Sequence, residues 1–159
     1  MKLKEYSGKE IFNNYSIKIP NGFVISNIKD IDENINNIKA NDLVVKAQLL
    51  SGGRGKSGLI KFCNKKNINE TVRGLLNKKV SNETIKEVLI EEELKIDKKF
   101  YLSLTINRED KDILLIFSQD GGIDIEELSE SSPEKIIKIP IIDNHLNIIN
   151  KKDSIKNDQ

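Results

Sequence analysis

The stretch VVKAQLLSGGRGKSGLIKF, residues 44–62, sets two apolar runs around a segment of glycines and cations. Four glycines and three cations share the thirteen residues from Lys46 to Gly58. Gly53, Gly55 and Gly58 spell G-x-G-x-x-G, and Gly55-Lys56-Ser57 resembles the end of a P-loop. The flanks decide between these readings. In the dinucleotide fingerprint the glycines open a helix whose N-terminus holds a pyrophosphate. Here Leu59 to Cys63 reads as a strand, and no acidic residue closes a second strand about 20 residues on. A P-loop would need its first glycine at Leu50, and it too would be followed by a helix. Strand, glycine loop, strand fits the flanks. Such a loop lets backbone N–H groups approach phosphates closely. Arg54 and Lys56 add positive charge, and Lys46 on the incoming strand could reach the phosphates as a point charge. Protein kinases also place a glycine loop between strands, but H-R-D and D-F-G are absent here. A glycine-rich hairpin with no ligand satisfies the same pattern.

Working outward, the β-branched run DLVVKAQL predicts a strand, and LIKFC another. Leu3 to Tyr15 reads as a helix with Leu3, Tyr6, Ile11, Phe12 and Tyr15 on one side. Ile17 and Ile19 suggest a short strand, with Pro20-Asn21-Gly22 as a turn. Ile28, Ile31, Ile35 and Ile38 have helical spacing, capped by Ser26 or Asn27. Ile68, Val72, Leu75 and Leu76 give a further amphipathic helix, with Asn64 or Asn67 at its cap. EVLIEEEL, FYLSLTI and ILLIFSQ predict strands, the last two joined as a hairpin by NREDKD. PEKIIKIPII predicts an extended run broken at Pro140, and from His145 the chain reads as a frayed or disordered tail. Helices mixed with antiparallel hairpins predict an α+β fold.

Composition narrows the classes of function. The chain has 159 residues, a formal charge of +1, 37% hydrophobic and 32% charged residues, the profile of a soluble globular protein. No excess of positive charge draws it to nucleic acid or to an anionic membrane. No apolar stretch approaches the ~20 residues needed to cross a bilayer. MKLKEYSGKE has charge but no apolar core behind it, unlike a secretory signal. One Cys, Cys63, and one His, His145, leave neither a disulfide framework nor a cysteine metal cluster. These features together predict a cytoplasmic, reduced protein.

The segments MKLKEYSGKEIFNNYSIKIPNGFV, VVKAQLLSGGRGKSGLIKF, VLIEEELKIDKKFYLSL and SQDGGIDIEE resemble, in order, segments of the β subunits of ADP-forming succinate–CoA ligases. The likeness runs from Met1 to about Asp143. SGGRGKSG and DGGIDIE are specific to this subunit and near relatives such as malate–CoA ligase and ATP-citrate lyase. The resemblance implies an ATP-grasp fold and a place in the citric acid cycle, exchanging succinate, CoA and ATP with succinyl-CoA, ADP and phosphate. It implies an α-subunit partner that carries CoA and a transiently phosphorylated histidine, which His145 does not match. The β subunit would bind ATP or ADP with Mg²⁺. By position, Lys46 would contact the phosphates, and Gly53, Arg54 and Gly55 would form the loop over them. Glu91 would accept from the adenine amino group, with backbone near Leu94 lining the base pocket. Read without the resemblance, Glu91, Glu92 and Glu93 are a solvated acidic strand end. Asp120 and Glu126 resemble metal ligands but fall outside the family's main Mg²⁺ site. Alanine at Lys46 or Arg54 in a full-length protein is expected to cut turnover and leave the fold intact.

The sequence departs from that family in two ways. Lys99 stands where the family has a glutamate beside the ribose pocket, and an ammonium cannot accept a hydrogen bond from a ribose hydroxyl. Family members are also more than twice as long. Residues 1–143 correspond to a partial ATP-grasp domain and 144–159 to a polar tail. The Mg²⁺ ligands and the C-terminal domain that meets the α subunit are expected to be absent. Three readings follow: a fragment of a catalytic subunit, a truncated inactive remnant, or a non-catalytic module that binds nucleotide or the α subunit.

Overall fold

A computed structural model of the chain describes residues 2–50, 57–108, 111–142 and 145–146. The chain divides into two compact units, Met1–Lys95 and Ile96–Gln159.

Unit 1 is built on a four-stranded antiparallel sheet of β1 (Gly22–Ile25), β2 (Asp42–Ala47), β3 (Ile60–Asn64) and β6 (Val88–Glu92), in the order β1-β6-β2-β3. Helix α1 (Glu5–Asn14) precedes it, α2 (Asp30–Asn34) joins β1 to β2, and α3 (Ile68–Arg73) follows β3. A small hairpin, β4 (Lys79–Val80) and β5 (Glu83–Thr84), leads into β6. Successive strand residues point to opposite sides, so register decides what is buried. Val45 lies opposite Ile90 and Ala47 opposite Val88, while Phe23 and Ile25 oppose the same two β6 residues from the other edge. These side chains form a core with Ile31 and Ile38 of the α2 region, Ile68 and Val72 of α3, and Leu75 just after it. The other side of the sheet carries Val24, Val44, Lys46, Leu89 and Glu91, the alternate residues of the same strands.

Most of the predicted elements of unit 1 appear, with three differences. The strand expected at Ile17 and Ile19 lies later, and Gly22, read as the end of a turn, is its first residue. The periodic isoleucines do face the core, but α2 is short and passes into a 3₁₀ turn over Ile35–Asn37. Ile11 and Phe12 of α1 and Tyr15 at its end are exposed, and no residue of the helix is buried. The sheet beneath α1 presents ionic groups, so the helix meets it through polar side chains. Asn64 caps the 3₁₀ turn Lys65–Asn67 that leads into α3, its Oδ1 accepting from the N–H groups of Lys66 and Asn67 at 3.0 and 3.2 Å, whereas Asn67, at the start of α3 itself, makes no side-chain cap bond. The lone Cys63 is half-buried, and burial pushes its thiol above the ordinary value, only partly opposed by a hydrogen bond with Thr71.

Unit 2 holds the predicted hairpin, β7 (Tyr101–Asn107) and β8 (Asp112–Ser118), followed by α4 (Ile125–Ser131) and β9 (Ile136–Ile142). Its sheet order is β10-β9-β8-β7, where β10 is His145–Leu146. Pro140 does not break β9: it sits opposite Leu114 on one side and just beyond the pairing with β10 on the other, a position that needs no donor. Strand β10 (His145–Leu146) pairs with Ile141 and Ile142 at the start of the segment expected to be a tail.

The register of unit 1 generates a direct contrast. Ile90→Ala empties a fully buried site between two strands and should cost about 2–5 kcal/mol. Phe62→Ala, on β3 and largely exposed, should stay within about 0.5 kcal/mol of the parent. Urea unfolding followed by far-ultraviolet circular dichroism measures both.

Candidate functional site

Two of the sequence-predicted site residues meet on the ionic side of the unit 1 sheet. Lys46 lies on β2 and Glu91 on the adjacent β6, on the same face because Lys46 opposes Leu89 and Glu91 opposes Val44. Their side chains form an ion pair, with Lys46 Nζ 2.8 Å from Glu91 Oε2. The contact is close, but its angles are not those of a directed hydrogen bond, and Oε2 has no hydrogen-bonding donor. Glu91 is 1% exposed, which separates it from Glu92 and Glu93 further along the strand. Glu92 turns back to accept from the N–H of Asn21 at 2.9 Å.

Helix α1 supplies the rest of the charge. Lys46 Nζ donates to Glu5 Oε1 at 2.9 Å, and Lys9 Nζ lies 3.0 Å from the same oxygen. Lys9 also donates to Glu91 Oε1. Two ammonium groups and two carboxylates thus form a closed ring in which each cation bridges both anions. Nearby, the Tyr6 N–H meets buried Gln48 Oε1 at 3.3 Å, and Lys4 pairs with Glu87 at 2.5 Å. Burial works to raise the Glu5 carboxyl, but bonding to Lys46 and then to Lys9 outweighs it, so it titrates below its ordinary value of 4.5. Burial likewise works to lower Lys46, and the carboxylates of Glu91 and Glu5 together hold it above its ordinary 10.5.

Gly22 makes room for this arrangement. A Cβ at that position would stand 2.5 Å from the Ile90 carbonyl oxygen and 2.7 Å from Glu91 Cγ. The pair Gly22 and Glu91 borders a cavity of about 230 Å³, with Tyr6, Lys9, Phe23 and Leu89 among its other walls.

Gly53, Arg54 and Gly55 lie outside the described residues. Gly58, on the exit from that segment, has φ +65°, a conformation that favours glycine. The strands on either side pair antiparallel, with Lys46 opposite Ile60 and the Ala47 N–H donating to the Leu59 carbonyl at 3.0 Å. The strand–loop–strand flanks are therefore present. Leu94 follows β6 and is half exposed. In unit 2, Lys99 is exposed and its carbonyl accepts from the Gly121 N–H at 3.1 Å. Asp120 pairs with Lys135 at 2.8 Å. Sequence reasoning missed Glu5, Lys9 and Gly22. The one signal for the first two was their i, i+4 spacing beside the predicted apolar stripe of α1.

The ATP-grasp domain family matches residues 2–155. The β subunit of succinate–CoA ligase [ADP-forming] from Methanocaldococcus jannaschii is 46% identical over 142 residues, covering 89% of this chain and 38% of that protein. The subunit of the same name from Methanothermobacter thermautotrophicus is 42% identical over 141 residues, with the same two shares. The chain thus spans 38% of the length of these curated relatives. Among solved structures, ATP citrate lyase from Methanothrix soehngenii, in complex with citrate and coenzyme A, superposes with a TM-score of 0.69 over 92% of this chain and 36% of that one. At 19% identity that likeness speaks for the fold alone.

The ionic ring gives unit 1 a defined pH dependence. The folded-state pKa of Glu5 is depressed, so its contribution is present above the unfolded value and is lost as pH falls through the folded one. That of Lys46 is raised, so its contribution persists below the unfolded value and disappears at higher pH. Stability should therefore be flat between roughly pH 5 and pH 10 as far as these two groups are concerned, and fall on the acid side below pH 4.5. Urea midpoints against pH should show the acid limb shrink in Glu5→Gln. An unchanged limb would remove Glu5 from the ring.

Proposed function

The chain belongs to the ATP-grasp domain family, and from that premise we propose that it is the nucleotide-binding portion of an ADP-forming succinate–CoA ligase β subunit. The observation that carries this reading is the 46% identity with such a subunit along 89% of the chain. The pairing of Lys46 with Glu91 on adjacent central strands supports it, since the cation proposed for the phosphates and the carboxylate proposed for the base lie on one face. The reaction is the exchange of succinate, CoA and ATP with succinyl-CoA, ADP and phosphate in the citric acid cycle. It takes place in the cytoplasm with an α subunit as partner.

In this reading Lys46 presents its ammonium to the phosphate oxygens. The group carries three N–H donors, one of which goes to Glu5, while Glu91 pairs with it by charge. The ring as a whole is neutral, so Arg54, Lys56 and the backbone N–H groups of the glycine loop supply the net attraction for a polyphosphate. The Glu91 carboxylate and the backbone near Leu94 receive the adenine edge, with Leu89 and Phe23 as apolar neighbours of the carboxylate. Mg²⁺, when bound, would screen the phosphate charge. Among the described residues no group of three or more His, Cys, Asp or Glu is placed to hold it. Its ligands belong to the part of the relatives that this chain does not span. The 159 residues alone are accordingly proposed to bind without turning over.

A second reading is a non-catalytic module that binds nucleotide or the α subunit. The neutralisation of Lys46 by two carboxylates favours it, because a structural ring of this kind needs no ligand.

Thermal unfolding with and without Mg·ATP tests the nucleotide reading. Ligand at a hundred times its dissociation constant should add about 2.7 kcal/mol and raise the transition by roughly 5–10 °C. Arg54→Ala should reduce that rise without moving the unliganded transition. A cooperative parent transition that ATP leaves in place would refute nucleotide binding. Lys46→Ala is a less clean probe than the sequence suggests. It removes one of two partners from buried Glu91 and should cost about 3 kcal/mol by itself, the low end for breaking a buried pair because Lys9 remains.

A further inference from the structure

Of the two carboxylates that meet Lys46, one is fixed and one can leave. Glu91 is 1% exposed and lies on β6, a strand paired on both sides. Withdrawing it from its cations would leave a charge buried and unpaired. The Glu5 side chain is 20% exposed and is carried by α1, a helix without a buried residue. Yet it is Glu5 that takes the directed hydrogen bond from Lys46 Nζ, at 2.9 Å.

The surroundings of Glu5 ease its departure. Lys9 Nζ lies 3.0 Å from the same Glu5 oxygen, one helical turn along α1. A Glu5 side chain that turns from Lys46 therefore keeps a cation on its own helix. α1 need not move. Lys9 remains on Glu91, Lys4 on Glu87, and the Tyr6 N–H on Gln48 Oε1 at 3.3 Å. Gln48 is buried, and its side-chain amide donates to the Lys46 carbonyl at 3.0 Å, which fixes the backbone from which Lys46 projects. The change is confined to one side chain.

We propose that Glu5 is a resident anion on Lys46: in the ligand-free chain it holds the place at the ammonium that a phosphate oxygen takes on binding, so ligand entry exchanges one anion for another. The proposal rests on the nucleotide reading above and gives that site its own competitor. Two consequences follow from the exchange. Lys46 keeps an anion both before and after the ligand arrives, so it is never an unpaired, half-buried cation. The apparent affinity for phosphate is also lowered by the fraction of molecules in which Glu5 occupies Lys46.

Isothermal titration of Mg·ATP into the 159-residue chain and three variants tests this. Glu5→Gln removes the competing charge. If Glu5 occupies Lys46 in about nine molecules of ten, the dissociation constant should fall about tenfold. Glu5→Asp keeps the charge but draws the carboxylate back by one methylene. It should bind more tightly than the parent by a smaller factor, and it carries the test if Glu5→Gln loosens α1. Glu10→Gln removes the same charge from an exposed position on the same helix, where solvent screens it, and should change the dissociation constant less than about twofold. Equal binding by the parent and both Glu5 variants would overturn the proposal and leave the nucleotide reading standing. So would weaker binding by Glu5→Gln, which would make Glu5 one of the ligand's own contacts, or a gain in Glu10→Gln as large as that in Glu5→Gln, which would reduce the effect to net charge. Failure of the parent and every variant to bind would overturn both readings.

Discussion

A carboxylate withdrawn from water must be met by cations, and Glu91 is such a group in unit 1. Lys9 and Lys46 reach it from different elements, so its burial ties α1, β2 and β6 together. α1 has no buried residue of its own, and its position on the sheet follows from this ring and from the neighbouring contacts of Lys4 and Tyr6. The same charge constrains register. A slip of one residue in β6 would carry Glu91 to the side of Val45 and Ile25, where the core offers no cation. Gly22 belongs to this constraint, since only a residue without a side chain lets β1 run beside the carboxylate.

Much of the fold was legible because its signals are local. The β-branched run at 42–47, the Asn64 cap and the β7–β8 hairpin each follow from side-chain shape or from a hydrogen bond within a few residues. What escaped depends on partners distant in sequence. Glu91, Glu92 and Glu93 are alike in the sequence, and only the pairing with Val44 and Gly22 sets Glu91 apart. The apolar residues of α1 gave the helix one side, but they do not show that the sheet meets it through charges. Pro140 reads as a break until its place beyond the β10 pairing is known. The family resemblance singled out Lys46 and Glu91, and the structure joins them. It could not reveal that Glu5 and Lys9 complete the ring, because their role lies in the approach of α1 to the sheet.

The two units differ in how their apolar residues are used. Unit 1 sorts its strands into one oily side against α2 and α3 and one ionic side beneath α1. Unit 2 sets nine apolar residues on one side of β7, β8 and β9, several of them exposed, and mixes Ser103, Thr105, Asn107 and Lys138 with Leu114, Ile116 and Ile136 on the other.

The strand order β1-β6-β2-β3 also bears on how the chain is made. β6 enters between β1 and β2, although both precede it by more than forty residues in sequence. During synthesis from the N-terminus, β2 and β3 can pair as a hairpin while β1 waits with no neighbour. Until Val88–Glu92 emerges, both β1 and the inner edge of β2 present open backbone groups, which invite pairing with other chains. Glu91 arrives with that last strand, so Lys9 and Lys46 gain their shared carboxylate only as the sheet closes. Such non-local closure is slow. A nascent chain of this protein therefore holds two unpaired strand edges until residues 88–92 have been made.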